Sequence, residues 1–328
     1  MVVADRSLAI ALPELQQRIE WSLFRQAIRC KVVIIVCMTA SLRKMKPSIY
    51  AFELRQRGRV VWGDERVLGL IRSFSVSDIP KEDGWWLLCN RMIEQLEEAA
   101  AINGGFDGTA LRYRTAKLYL AMAGCYLLLT GQYEPSYQQR AARMARLAES
   151  ETSLASPIPL RRFSNLVSQC TELKLHGDMQ CASAVFPDWS DAIADAEKVW
   201  RWALGEMTGT SPCPSLSASF RKLASRQSFI LRAKGWLRAA YVSPSSLPRN
   251  GLRWARLALS SSPRYLVYSA GSRLLFGKQA QTTLTPEQLG GIVGRLPLPP
   301  GTQFPLTWGI AARTVAHNFH LFVDSTRS

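Results

Sequence analysis

Beyond Asp64 the apolar residues of this chain recur at three- and four-residue intervals and almost never alternate. That period commits most of the molecule to amphipathic helices, each of which must bury a stripe against a neighbour. Residues 85–101 place Trp85, Leu88, Met92, Leu96 and Ala99 on one such stripe. Ser77-Asp78-Ile79-Pro80 supplies a capping side chain and a helix-starting proline at its entry,. After a turn at Asn103-Gly104-Gly105, residues 111–129 are more apolar and are expected at the centre of a bundle. Helical periods follow at 138–149, 160–175, 189–207, 220–241, 252–259, 264–276 and 306–322. Ser156-Pro157, Ser211-Pro212-Cys213-Pro214, Ser243-Pro244 and 260–263 separate them, and 296–301 (LPLPPG) reads as an extended linker,. No fixed-period repeat is present, which argues against a solenoid.

The first 66 residues read differently. Leu15, Ile19, Leu23 and Ala27 give 13–28 a helical period, with Pro13 suited to its first turn,. Residues 31–38 (KVVIIVCM) form a continuous β-branched run, as in a strand buried on both faces,. A short helix is expected at 47–54 and a short strand at 59–62, introduced by Gly58 and ended by Gly63-Asp64,. The expected fold is therefore mainly α. A multi-helix domain (67–328), with a hinge permitted near 208–216, follows a small α/β unit (1–66) that reads as cut at its left edge.

Composition sets the bounds. Hydrophobic residues at 47% of 328 positions, with ten Trp, provide enough apolar surface for sizeable cores and exclude wholesale disorder,. The formal charge of +16 favours polyanions,. Arg140, Arg143 and Arg146 line one helix face and Arg249, Arg253 and Arg256 another, a spacing that suits either phosphate or plain solvent,. Trp200/Trp202 and Trp236/Trp254 are candidate stacking platforms for single strands, although buried anchors fit them better,. The seven Cys residues show no paired spacing and lie mostly in apolar stretches, which reads as reduced thiols of a cytoplasmic protein,. The apolar runs 32–38 and 118–129 are shorter than the roughly 20 residues a bilayer needs, and no secretory signal is apparent, so no membrane partner is expected,.

The residues that carry chemistry are few. His317 and His320, three apart, would need two further ligands to hold zinc, and no Cys pair is spaced to supply them,. Arg313 and His320 resemble, in their loose spacing, the Arg…His pair of HEPN-type ribonucleases, which are all-helical and cleave RNA. No phosphate-loop, nucleophile-elbow or zinc-protease motif occurs,. Gly290-Gly291…Gly294 has no strand feeding it, which disfavours a dinucleotide site,.

A family resemblance emerges at 47–64. Pro47-Ser48-Ile49-Tyr50, Phe52-Glu53-Leu54 and Gly58-Arg59-Val60-Val61-Trp62-Gly63-Asp64 resemble the closing segment of bacterial proteins with the polymerase-β-type nucleotidyltransferase fold. Asp78-Ile79-Pro80, Glu82-Asp83-Gly84, Asn90-Arg91-Met92 and the run 112–120 are similar to the start of the helical part that follows in those proteins. The resemblance covers about residues 1–130. It implies a Gly-Ser turn before two Asp residues on a strand, a third acid on a neighbouring strand, two Mg²⁺ ions and a nucleoside triphosphate.

This chain lacks that acid pattern. Its one Gly-Ser pair, Gly271-Ser272, leads into a helical run without paired Asp, and 31–38 contains no acid. Asp5, Asp64 and Glu65 fall in turns. No catalytic, metal-ligating or cofactor-binding residue is therefore carried over, and Mg²⁺ and nucleoside triphosphate belong to an intact relative. Either the true start lies upstream of Met1, or the fold has decayed to a remnant. The expected function is a nucleotidyltransferase-like protein, inactive or truncated, whose basic helical domain holds a substrate or partner. The alternatives are a non-enzymatic module that binds nucleotide, nucleic acid or an acidic protein, and the helical ribonuclease.

Overall fold

The computed structural model describes residues 2–3, 12–26, 36–101, 108–150, 156–176, 187–210, 216–242, 247–279, 284–299 and 301–323. The chain divides into two compact units, Met1–Ile79 and Pro80–Arg327. Helix dominates both.

In the first unit, β1 (Val2–Val3) pairs in parallel with β2 (Val36–Cys37), Val2 opposite Val36. Between them lies α1 (Leu12–Arg25), the helical crossover that a parallel pair requires,. Most of the expected strand 31–38 lies outside the described residues; Val36–Cys37 is its described part. Two short helices follow, α2 (Thr39–Arg43) and α3 (Ile49–Arg57). The Ser48 hydroxyl caps α3 by accepting from Ala51 N at 3.1 Å,.

The expected strand at 59–62 does not form. Residues 58–61 have no regular structure, no strand among the described residues lies beside them to share a ladder, and Val61 and Trp62 are 91% and 92% exposed,. Asp64 instead caps a 3₁₀ segment, Glu65–Leu70, accepting from Arg66 N at 2.9 Å. Leu42, Ala51 and Ile71 form a small core, with Met45, Leu54, Val67, Leu70 and Phe74 packed on it.

The second unit is built from eleven described helices around α5. They are α4 (Lys81–Ala101), α5 (Gly108–Leu129), α6 (Tyr137–Glu149), α7 (Leu160–His176) and α8 (Trp189–Thr208), then α9 (Leu216–Ser225), α10 (Phe229–Val242) and α11 (Leu247–Ser260). The last three are α12 (Pro263–Gln279), α13 (Pro286–Val293) and α14 (Trp308–Phe322). As its composition predicts, α5 is central: residues 118–129 are all buried, and α4, α6, α7 and α8 pack around it. Gly84 lets α4 approach α5 closely, since a Cβ there would meet Cys125 Cα at 3.2 Å. Gly271 does the same for α12 against α4, where a Cβ would overlap Ile93.

Two helices differ from the sequence reading. The run 220–241 is two helices, parted at 226–228, where Arg226 N and Gln227 N bond Leu223 O and Ala224 O in a tightened last turn,. α13 was not anticipated, although Thr285 and Gln288 close a capping box around Pro286 at its start,. The same helix absorbs Gly290, Gly291 and, as its C-cap, Gly294, so these glycines form no phosphate turn.

An aromatic cluster fills the centre. The Trp85 ring lies 5.7–6.2 Å from those of Trp200, Phe220, Tyr265 and Tyr268. Nearby, Asp195 is 2% exposed and joins three helices. It accepts from Tyr119 Oη at 2.9 Å on α5 and pairs with Arg162 at 3.1 Å on α7. No described helix is long and apolar enough to cross a membrane.

Candidate anion-binding cleft on the last helix

α14 starts where Thr307 Oγ1 accepts from Ile310 N at 3.3 Å,. Its apolar residues Ala311, Ala312, Val315, Phe319 and Phe322 face the core. Arg313, His317 and His320 are thereby set on one outer stripe, at i, i+4 and i+7,. Buried Asn318 fastens the preceding loop to the helix: its Nδ2 donates to Pro297 O at 2.8 Å and to Thr314 O at 2.7 Å. Gly301, with φ of +74°, turns the loop, and Thr302 donates to Pro299 O at 2.6 Å,. Between loop and helix lies a cleft of about 440 Å³ lined by Thr302, Gln303, Ile310, Arg313, Thr314 and His317 among others.

Among the described residues no acidic side chain lines this cleft, while one guanidinium, one imidazole, two hydroxyls and one amide do. Both hydroxyl protons are committed, Thr302 to Pro299 O and Thr314 to Ile310 O at 2.9 Å, so the Arg313 guanidinium, the His317 ring and the Gln303 amide are the donors that suit a phosphate or carboxylate,. Partial burial, with a smaller contribution from neighbouring His320, holds the His317 ring below its ordinary pKa, so it is neutral at pH 7,. His320 points elsewhere: its Nε2 lies 3.1 Å from Glu97 Oε1 on α4. The Arg313…His320 pair singled out in the sequence thus shares a stripe but not the cleft. His317, one helical turn from Arg313, stands in its place beside it,.

The other expected residues have different fates. Arg140 is buried between Tyr133 and Tyr137, with its guanidinium carbon 5.1 and 4.6 Å from their ring centres, and donates to Tyr133 Oη at 2.6 Å. It is committed to the fold, so Arg140, Arg143 and Arg146 do not converge on a ligand. Arg253 and Arg256 on α11 are exposed, and the side chain of Arg249 lies outside the described residues. Trp200, Trp236 and Trp254 are buried anchors. Buried Cys89, Cys125 and Cys170 are poor nucleophiles, since desolvation raises all three thiols, Cys170 to about 12,. Among the described residues no three His, Cys, Asp or Glu gather as a metal site.

Thr314 stands directly after the Arg of the Arg…His spacing, whereas Thr302 and Gln303 belong to no motif, and only the fastening of the loop to α14 brings them to Arg313. No family model matches the chain, and neither a curated protein nor a solved structure matches it.

Proposed function

We propose that the helical unit is the ligand-holding part of a nucleotidyltransferase-like protein, that its ligand carries phosphate, and that this chain by itself transfers no nucleotide. One observation supports the ligand class above others: Arg313 and His317 line one cleft with the Gln303 amide and, among the described residues, no acid. The resemblance over 47–64 and the parallel pairing of β1 and β2 across α1 support the family reading. The formal charge of +16 would draw a nucleotide or nucleic acid towards the molecule,.

The test is binding of a fluorescent single-stranded RNA and of a nucleoside triphosphate to the purified chain across a salt series. Affinity should fall steeply with salt. Arg313→Ala combined with His317→Ala should weaken it about a hundredfold, each charge-assisted hydrogen bond contributing about 1.5 kcal/mol. Binding should also strengthen as pH falls below the ordinary histidine value of 6.5, where His317 gains its proton and becomes a cation. Binding that ignores salt and both substitutions overturns the ligand class. Incorporation of labelled nucleotide with Mg²⁺ overturns the statement that the chain transfers none.

The placement of Arg313, His317 and His320 on one stripe favours a second reading, cleavage of RNA by that stripe. A His320→Ala variant with unchanged RNA cleavage would remove it.

A further inference from the structure

Between Met207 and Pro286 the chain has twelve Lys and Arg residues and not one Asp or Glu. This stretch folds into α9–α12. At its centre, α10 and α11 pack on one another through Trp236 and Trp254, whose rings stack at 5.9 Å, with Phe322 of α14 against Trp236. Trp236 also donates to Ser261 O at 3.0 Å, which locks the inner sides of the pair.

Their outer sides are unusual. Ile230, Lys234, Leu237 and Tyr241 recur at i, i+4, i+7 and i+11 on α10, and Leu252, Arg256 and Leu259 at i, i+4 and i+7 on α11. Each set is one stripe of its helix. Leu237, Tyr241, Leu252 and Leu259 are 68%, 86%, 83% and 66% exposed. An apolar stripe left in water beside cations, in a stretch without an acid, is an interaction surface,.

We infer that the outer faces of α10 and α11 lie on an anionic lipid surface, burying these aliphatic side chains among the acyl chains while Lys234, Arg253 and Arg256 meet the headgroups. The side chains choose among occupants. Single-stranded nucleic acid stacks on aromatic platforms and a duplex presents charged phosphates, and neither would cover a face that is mostly Ile and Leu. A second copy would bring two acid-free, cationic surfaces together, which like charge opposes. A lipid surface answers both properties at once, because attraction between Lys or Arg and anionic headgroups adds to apolar insertion. At 14 residues each helix is about 21 Å long, enough to lie along such a surface but not to cross it,.

The experiment is co-sedimentation of the full chain with vesicles of phosphatidylcholine, and of phosphatidylcholine with phosphatidylglycerol at roughly 3:1. Binding to the mixed vesicles should exceed binding to neutral ones about tenfold or more and should weaken with salt. Leu237→Glu with Leu252→Glu should abolish it while leaving the melting temperature and RNA binding in place, since both side chains are exposed and far in sequence from Arg313. Arg253→Gln with Arg256→Gln should remove the preference for anionic vesicles. Equal binding to both vesicles, or binding that survives the Glu substitutions, overturns the inference. So does failure to bind vesicles, and if the Glu variant then converts a dimer to a monomer in sedimentation, the face belongs to a second copy.

Discussion

Two stretches of the helical unit solve the problem of charge in opposite ways. Residues 80–206, which build α4–α8, carry 13 Lys and Arg against 16 Asp and Glu, and the acids are used. Lys117 pairs with Glu94 at 2.8 Å, Arg114 with Glu98 at 2.9 Å and Arg201 with Glu197 at 2.6 Å. Residues 207–286 carry twelve cations and no acid, and they leave aliphatic side chains on α10 and α11 in water. The first stretch pairs many of its described charges inside the chain and buries most of its described apolar side chains. The second is complementary to something anionic and apolar outside itself. Functional surface and structural core therefore separate along the sequence, and α14, packed on α4, α10 and α12, carries the cleft beside both.

This contrast is breakable by substitution. The largest effect belongs to the core: Trp200→Ala, which removes a fully buried ring from contact with Trp85, Phe220 and Phe276, should cost about 4 kcal/mol in denaturant unfolding,. A loss under about 1 kcal/mol would mean that the aromatic cluster is not the core. Next comes Asp195→Ala, expected to destabilise by about 2 kcal/mol, mainly because buried Tyr119 Oη loses its acceptor,. Arg162 limits that cost, being half exposed and able to return to water. The smallest effect is expected on the complementary face. Leu252→Ser and Arg253→Gln should each stay within about 0.5 kcal/mol, and a larger loss from Leu252→Ser would show that α11 is covered within the chain after all,.

Much of this was legible in residue spacing. The stripe Trp85, Leu88, Met92, Leu96 is buried as its period requires, and the apolar run 111–129 became the central helix. The split of 220–241 falls at the polar run Arg226-Gln227-Ser228, but no Gly or Pro punctuates it and apolar residues stand close on both sides, so the sequence does not announce the break,. The strand at 59–62 failed for a different reason: β propensity gives nothing without a neighbouring strand to complete the ladder. α13 shows the reverse case: Thr285, Pro286 and Gln288 carry a capping signal, and the helix forms across Gly290 and Gly291, which are poor helix formers,.

The sequence by itself determined the helices, their caps and the imbalance of charge, since these depend on neighbours three or four residues apart and on simple counting. Tertiary structure decided which cations were available. It folded Arg140 between two tyrosines, tied His320 to Glu97 across 223 residues, and set Arg313 and His317 against a loop pinned by Asn318. Burial and convergence depend on segments distant along the chain, and no local period records them.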